Sequence, residues 1–129
     1  MILDSSAVVA IAEGEPEREQ FLELAAGVPC RMSVANWLEA ALVIDNRSPR
    51  GRANLDDLTS ALSIELVPVS VAHALVARDA HRRFGRGSGS PARLNFGDCL
   101  AYALAVTTGE PLLYTGEDFG HTDVRSALT

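Results

Sequence analysis

Short apolar segments alternate with longer amphipathic ones along the whole chain, and this alternation limits the fold more than any other feature. Residues 1–3 form a brief apolar strand closed by Asp4. Ser5 and Ser6 can cap a helix running through Ala12. Residues 15–26 read as an amphipathic helix whose stripe is Phe21, Leu22, Leu24 and Ala25, stopped by Gly27 and Pro29. Residues 30–32 are a second strand, and Ser33 caps a helix to about Asn46. After a break over residues 47–51, a helix is expected over 54–62 and a β-branched strand over 64–69. Residues 71–84 are helical, 85–91 (GRGSGSP) form a flexible loop, and 96–107 make an apolar helix ended by Gly109. The last strand is 111–114, and the tail from Gly116 is expected to hold short turns and a strand at 123–125.

Strands alternating with helices imply an α/β fold with a mainly parallel sheet and right-handed crossovers. In such sheets ligands gather at the carboxyl ends of the strands. Asp4 follows the first strand, and Glu117 and Asp118 follow the last. The length, 129 residues, suits one domain over residues 1–129. No apolar run reaches the roughly 18 residues of a membrane helix, and no basic leader opens the chain, so neither membrane attachment nor secretion is expected. Two cysteines, Cys30 and Cys99, rule out a disulfide scaffold and fit a cytoplasmic location.

The charge balance excludes more. All 11 basic residues are Arg, so chemistry that needs a lysine is closed to this chain. Phospho-receiver domains fail on that ground. Aspartyl-nucleophile phosphatases fail on it too, and also on Ser6, which stands where a second Asp is required. A net charge of −6 argues against indiscriminate polyanion binding over the whole surface.

Most acids sit in hydrophilic company, as Glu13, Glu15, Glu17, Glu19 and Glu23 do. Three do not. Asp4 lies in MILDSSAVVAIA, Glu39 in VANWLEAALVI and Asp98 in LNFGDCLAYALAV. A buried carboxylate needs a cap, an ion pair or a metal. Asp4 and Asp98 can each cap a helix, whereas Glu39 is mid-helix and cannot. No Arg lies within a turn of any of the three. Three such groups on separate elements suggest a shared cation, and an all-oxygen site favours Mg²⁺ or Mn²⁺ over zinc. His73, His81 and His121 show no zinc spacing.

With those segments the chain resembles PIN-domain ribonucleases, and more closely the VapC-type toxins of type II toxin–antitoxin modules. The resemblance covers essentially the whole chain. It is carried by MILDSSAVVAI, the 33–41 stretch with Glu39, LNFGDCLAYALA and LLYTGEDFGHTDV, in that order. It implies a three-layer α/β/α sandwich around a mainly parallel sheet. It also implies a Mg²⁺- or Mn²⁺-dependent endoribonuclease whose metal-activated water leaves 3′-hydroxyl and 5′-phosphate ends. Asp4, Glu39 and Asp98 match the first three acids of the family's cluster. The fourth is assigned to Asp118, with Glu117 as alternative, because this chain has Glu where the family usually places Asp or Asn. Ser6 and Thr115 can hydrogen-bond an acid or a metal-bound water, and Asn95 can position the loop before the Asp98 helix.

RNA must also be drawn to an acidic pocket, which calls for a basic surround. Residues 78–93 carry Arg78, Arg82, Arg83, Arg86 and Arg93 against one acid, Asp79. Arg82, Arg83, Arg86 and Arg93 are the expected RNA contacts, with a solvated helix end as the plainer account. Arg47, Arg50 and Arg52 form a second group. The resemblance implies a VapB-type antitoxin laid along an apolar groove, for which Trp37 and Leu38 are candidates, and a homodimer. A metal-dependent DNA nuclease and a non-catalytic protein-binding module are the alternatives.

Overall fold

A computed structural model describes residues 1–47 and 51–128, those at 51–53 as backbone only. The elements run β1 (Ile2–Leu3), α1 (Ser5–Ala12), α2 (Arg18–Ala26), β2 (Arg31–Ser33), α3 (Val34–Arg47), α4 (Gly51–Ala61), β3 (Glu65–Val67), α5 (Val71–Phe84), α6 (Phe96–Thr108) and β4 (Leu112–Leu113). A 3₁₀ turn, Asp118–His121, follows.

The strands form one sheet in the order β3-β2-β1-β4, with every pairing parallel. Successive strand residues point to opposite faces, and the packing shows it. Ile2 and Leu112 join a cluster with Ala77 and Ala80 of α5 and Tyr102 and Leu104 of α6. Leu3 and Leu113 join a second cluster with Val8, Phe21, Ile44 and Leu55, drawn from α1 to α4. The result is the three-layer α/β/α sandwich. No described helix is long and apolar enough to cross a membrane.

The strand order has a functional consequence. From β1 the chain moves outward to β2 and β3, then returns to β4 on the other side of β1. The connections therefore leave β1 and β4 in opposite directions, and a cleft opens at their carboxyl ends. Asp4 stands at one lip and Thr115 to Asp118 at the other. α3 spans the region: Ala35 packs on the first cluster, and Ala40 and Ile44 lie in the second. Glu39 falls between them.

Several boundaries differ from expectation for identifiable reasons. Asp4, not Ser5 or Ser6, caps α1, accepting from the Ser6 N–H. Residues 15–17 form a turn, with Arg18 N–H donating to Glu15 O at 3.0 Å, so α2 begins late. Ser33 closes β2. β3 stops before Pro68, which has no N–H to offer. The strand expected at 123–125 is absent. Instead Leu112 alone pairs with the tail, donating to Arg125 O and accepting from Ala127 N–H, in a single bridge opposite Ser126. The break at 47–51 falls mostly on residues 48–50, outside the described residues, as does Arg50.

The 85–91 loop is a tied structure rather than an open hinge. Leu94 N–H donates to Phe84 O and Arg86 N–H to Leu94 O, closing its base. Inside, Ser88 Oγ donates to Gly85 O, and the Ser88 and Ser90 hydroxyls accept from the Ser90 and Ala92 N–H groups. Gly87 and Gly89 take φ of 86° and 90°, which side chains disfavour.

Leu104 is buried between α6 and the sheet. Leu104→Ala should lower the free energy of unfolding by about 2–5 kcal/mol. Urea denaturation measures this, with an unchanged slope showing that the denatured state is unaltered.

Candidate active site

Asp4 leaves the end of the central strand and is 3% exposed. Its Oδ2 accepts from Ser6 N–H at 3.1 Å and Ser6 Oγ at 2.6 Å. Its Oδ1 is buried without a hydrogen-bond partner. The cap and the candidate ligand are thus two oxygens of one carboxylate. Ser6 Oγ in turn accepts from Thr115 N–H at 3.1 Å, which ties the β4 lip to the β1 lip. The expected hydrogen bond from Ser6 to an acid is present, whereas Thr115 contributes through its backbone.

Glu39 reaches the cleft from α3. Its Oε1 accepts from Ser5 Oγ at 2.6 Å and from Asn36 Nδ2 at 3.4 Å. Asn36, fully buried, also donates to Gly97 O at 2.9 Å, fixing α3 against the first turn of α6. Its Oδ1 is a second buried oxygen with no partner. The approach is close. A Cβ on Gly97 would lie 2.3 Å from Glu39 Oε2, so any larger residue there displaces the carboxylate.

Asp98 and Asn95 form a reciprocal capping box at the start of α6. Asn95 N–H donates to Asp98 Oδ2 at 3.0 Å, and Asp98 N–H to Asn95 Oδ1 at 2.8 Å. Asn95 therefore positions Asp98 itself, as well as the loop before it.

Asp118 and Glu117 are exposed on the 3₁₀ turn. Phe119 anchors that turn, buried against the Tyr114 ring at 5.1 Å between centroids. Further along, Asp123 accepts from Tyr102 Oη at 2.5 Å and pairs with Arg83 at 3.1 Å.

Electrostatics show which acids share a neighbourhood. Burial pushes the Asp4 carboxyl up from 3.8 to about 6; the two Ser6 hydrogen bonds oppose this, and Asp98 and Glu39 add to it. Burial also raises Asp98, with Glu39 and Asp118 contributing, against the Asn95 N–H and Arg86. Asp4, Glu39, Asp98 and Asp118 are therefore linked through one field. They are not set at finished coordination spacing: among the described residues no three His, Cys, Asp or Glu side chains are grouped so as to hold an ion.

The arginines divide. Arg83 is engaged by Asp123, by Asp79 at 3.6 Å and by the Phe84 ring at 4.6 Å. Arg86, carried by the tied loop, is the cation that acts on Asp98. Arg82 and Arg93 are exposed, the latter at φ 50°. Arg47 of the second group pairs with Glu13. Trp37 is not groove lining: its Nε1–H donates to Thr59 Oγ1 at 3.2 Å and it packs on the second cluster. Leu38 is exposed, in a stripe with Val34 and Leu42 at four-residue spacing.

The PIN domain family model matches residues 1–125. This chain belongs to the PIN-domain family. Ribonuclease VapC28 of Mycobacterium tuberculosis is 45% identical over 130 residues, covering 99% of this chain and 98% of that protein. Ribonuclease VapC42 of the same organism is 45% identical over 131 residues, with all of both chains covered. Within the PIN family the chain thus falls among the VapC ribonucleases. Among solved structures, the sarcin–ricin loop cleaving toxin VapC20 of M. tuberculosis superposes with a TM-score of 0.76 at 15% identity, over 95% of each chain. VapBC2 of Rickettsia felis, bound to a promoter DNA fragment, gives 0.75 at 14% identity, over 97% of this chain and 94% of that one. At those identities the likeness is one of fold, and that fold is the PIN sandwich.

Sequence reasoning missed three residues that shape this cleft. Ser5 was expected to cap but holds Glu39, 34 positions away. Asn36 carries nothing in the sequence that sets it apart from any other polar residue of a helix. Gly97 carried a signal: glycine inside a helical turn costs about 1 kcal/mol against alanine, so something other than helix formation asks for it.

The Asp4 shift has a stability consequence. A carboxyl whose folded value lies above its unfolded value destabilises the fold once it must ionise. The cost is absent below about pH 4, grows through about pH 6, and above that is of the order of 3 kcal/mol. Asp4→Asn keeps an oxygen for both Ser6 bonds. Without added divalent ions it should be about 1–3 kcal/mol more stable than wild type at pH 7.5, and equal to it at pH 4. Paired urea titrations at the two pH values decide this, and a variant less stable at pH 7.5 contradicts it.

Proposed function

We propose that this PIN domain cleaves RNA phosphodiesters internally, using Mg²⁺ or Mn²⁺ held by Asp4, Glu39, Asp98 and Asp118. The observation that carries the proposal is the buried, unpartnered Oδ1 of Asp4, in the field of two further acids at the sheet's switch point. An oxygen so placed is costly unless a cation answers it. The donors are all oxygens, which suits a hard divalent ion. Asp118, rather than Glu117, is favoured as the fourth acid because it acts on Asp98.

A bound ion supplies Lewis acidity at the phosphate and lowers the pKa of the attacking water. The chain's own residues do the positioning. Ser6 fixes the Asp4 rotamer, Asn95 fixes Asp98, and Ser5 with Asn36 fixes Glu39, so the acids are oriented before substrate arrives. Gly97 leaves the room Glu39 occupies. Arg86 offsets the local negative charge that would repel a phosphate, and Arg82 and Arg93 extend the basic rim, while Arg83 is taken up by Asp79 and Asp123.

The reading includes an antitoxin of the VapB type and a homodimer, both in the cytoplasm where RNA is met. We place the antitoxin helix on the exposed stripe Val34, Leu38 and Leu42, beside the acids on α3.

Two measurements test this. Added Mn²⁺ should raise the melting temperature of wild type at pH 7.5 and leave Asp98→Asn and Asp4→Asn unmoved. The same variants should lose RNA cleavage by at least about a hundred-fold, the scale of removing one electrostatic catalyst. Cleavage by Asp98→Asn at the wild-type rate would contradict the assignment.

A further inference from the structure

Glu39, Val43 and Arg47 follow one another at four-residue spacing on α3, and Ser5, Val9 and Glu13 do so along α1 and its C-cap. The two rows meet as rungs. Ser5 Oγ donates to Glu39 Oε1 at 2.6 Å, and Arg47 pairs with Glu13. Val9 and Val43 stand between, on the walls of a pocket of about 310 Å³. Ser6, which holds Asp4, and Thr115 of the β4 lip line the same pocket, together with Ser5, Glu15, Glu39 and Arg47. The pocket therefore opens directly from the acids, and Glu39 is part of its wall.

The two end rungs are not alike. The Ser5 bond orients an acid. The Glu13–Arg47 pair leaves 59% of the Arg47 side chain in solvent, and a pair so exposed contributes little to a fold. Arg47 is also the one cation among the described residues that line the pocket. It stands eight residues beyond Glu39, about 12 Å along the helix axis, and helical side chains lean toward the N-terminus, here back toward the acid. Its guanidinium is thus within reach of a phosphate neighbouring the one at the acids. A strand laid there carries a negative charge on each side of the bond to be cut, and Arg86 meets the α6 side, through Asp98. Glu15 is the remaining charged group of the pocket. A carboxylate only accepts, so it suits the amino edge of a base rather than a phosphate.

We propose that this pocket seats one nucleotide of the RNA strand beside the cleaved phosphate, and that Arg47 takes that nucleotide's phosphate in exchange for Glu13. Arg47 is thus a substrate-binding residue, and Glu13 is the competing partner that the strand displaces. The inference rests on the ribonuclease reading of the acids.

The test uses the full chain and a single-stranded RNA oligonucleotide spanning a mapped cut site. Matched oligonucleotides carry one uncharged methylphosphonate at each flanking phosphate in turn. Steady-state cleavage is measured for wild type, Arg47→Gln, Arg47→Lys, Glu13→Gln, the Glu13→Gln/Arg47→Gln double variant and Asp98→Asn. Arg47→Gln should raise KM about ten-fold while kcat changes little, the scale of one hydrogen bond to a charged group. It should also lower the slope of log KM against log salt by about 0.7. Arg47→Lys should keep the wild-type slope. Glu13→Gln should lower KM about two- to five-fold, because the competing ion pair is gone. The double variant should match Arg47→Gln. One methylphosphonate should cost wild type about ten-fold and cost Arg47→Gln nothing more. A pair that only braces α1 against α3 predicts otherwise: each single variant removes the same rung, so both should shift KM in one direction. That result overturns the inference, and so does a wild-type KM in Arg47→Gln. Antitoxin binding is measured on the same variants, and an effect confined to it assigns the pocket to a protein and overturns the inference too. If wild type cleaves no RNA with Mg²⁺ or Mn²⁺, both readings fall. If wild type cleaves, Asp98→Asn does not, and Arg47→Gln behaves as wild type, only the Arg47 inference falls.

Discussion

The site turns on a carboxylate buried at the end of the central strand with half of its hydrogen-bonding demand unmet. Asp4 Oδ2 is held twice by Ser6, and Oδ1 by nothing. A fold that only needed a cap for α1 could have used serine there at no electrostatic cost. Retaining an ionisable group in that position, near Glu39 and Asp98, lifts its pKa to about 6 and leaves it poised to accept a cation. The rest of the architecture can be understood as what delivers the other acids to that point.

Delivery uses different devices for each. Parallel pairing of β1 with β4 sets the two loops side by side, and the Thr115 to Ser6 hydrogen bond locks them. α3 crosses from one core cluster to the other, which places Glu39 at the seam, and the Asn36 bond to Gly97 O holds α3 on α6 there. Phe119 plugs into the core so that Asp118, its neighbour, stays outside and within reach of Asp98. The Tyr102–Asp123–Arg83 group secures the tail beyond that turn; burial, and then the Asp123 carboxylate, push the Tyr102 hydroxyl up to about 12 against the opposing Arg83. Hydrophobic burial fixes the elements, and a small number of polar contacts fix the carboxylates on them.

This division explains what could be read from the residues in advance. α5 was legible end to end, because Ser70 caps it and Gly85 ends it. The parallel sheet followed from strand–helix alternation, and the three-layer sandwich from the family resemblance. Asp4, Glu39 and Asp98 stood out because they interrupt apolar runs, whereas Asp118 was reached as the fourth acid only through the family resemblance. Contacts between distant parts of the chain left no such trace. Ser5 meets Glu39 and Asn36 meets Gly97 across 34 and 61 positions, and neither periodicity nor capping rules register a pairing of that kind. The glycine-rich loop misled for a different reason: its composition suggests a flexible segment, but local bonds from its own serines and the Leu94 pairing close it. Trp37 was ambiguous until Thr59 supplied a partner for its indole.

The central claim is that the acids share one divalent ion with Asp4 Oδ1 as a ligand. Crystals grown with Mn²⁺ and measured for anomalous scattering test it most directly. The account predicts a peak about 2.0–2.3 Å from Asp4 Oδ1, with the Asp98 carboxylate drawn toward it and Glu39 and Asp118 closing on it directly or through water. A protein saturated with Mn²⁺ that shows no peak at Asp4, or binds the ion elsewhere, would contradict the account.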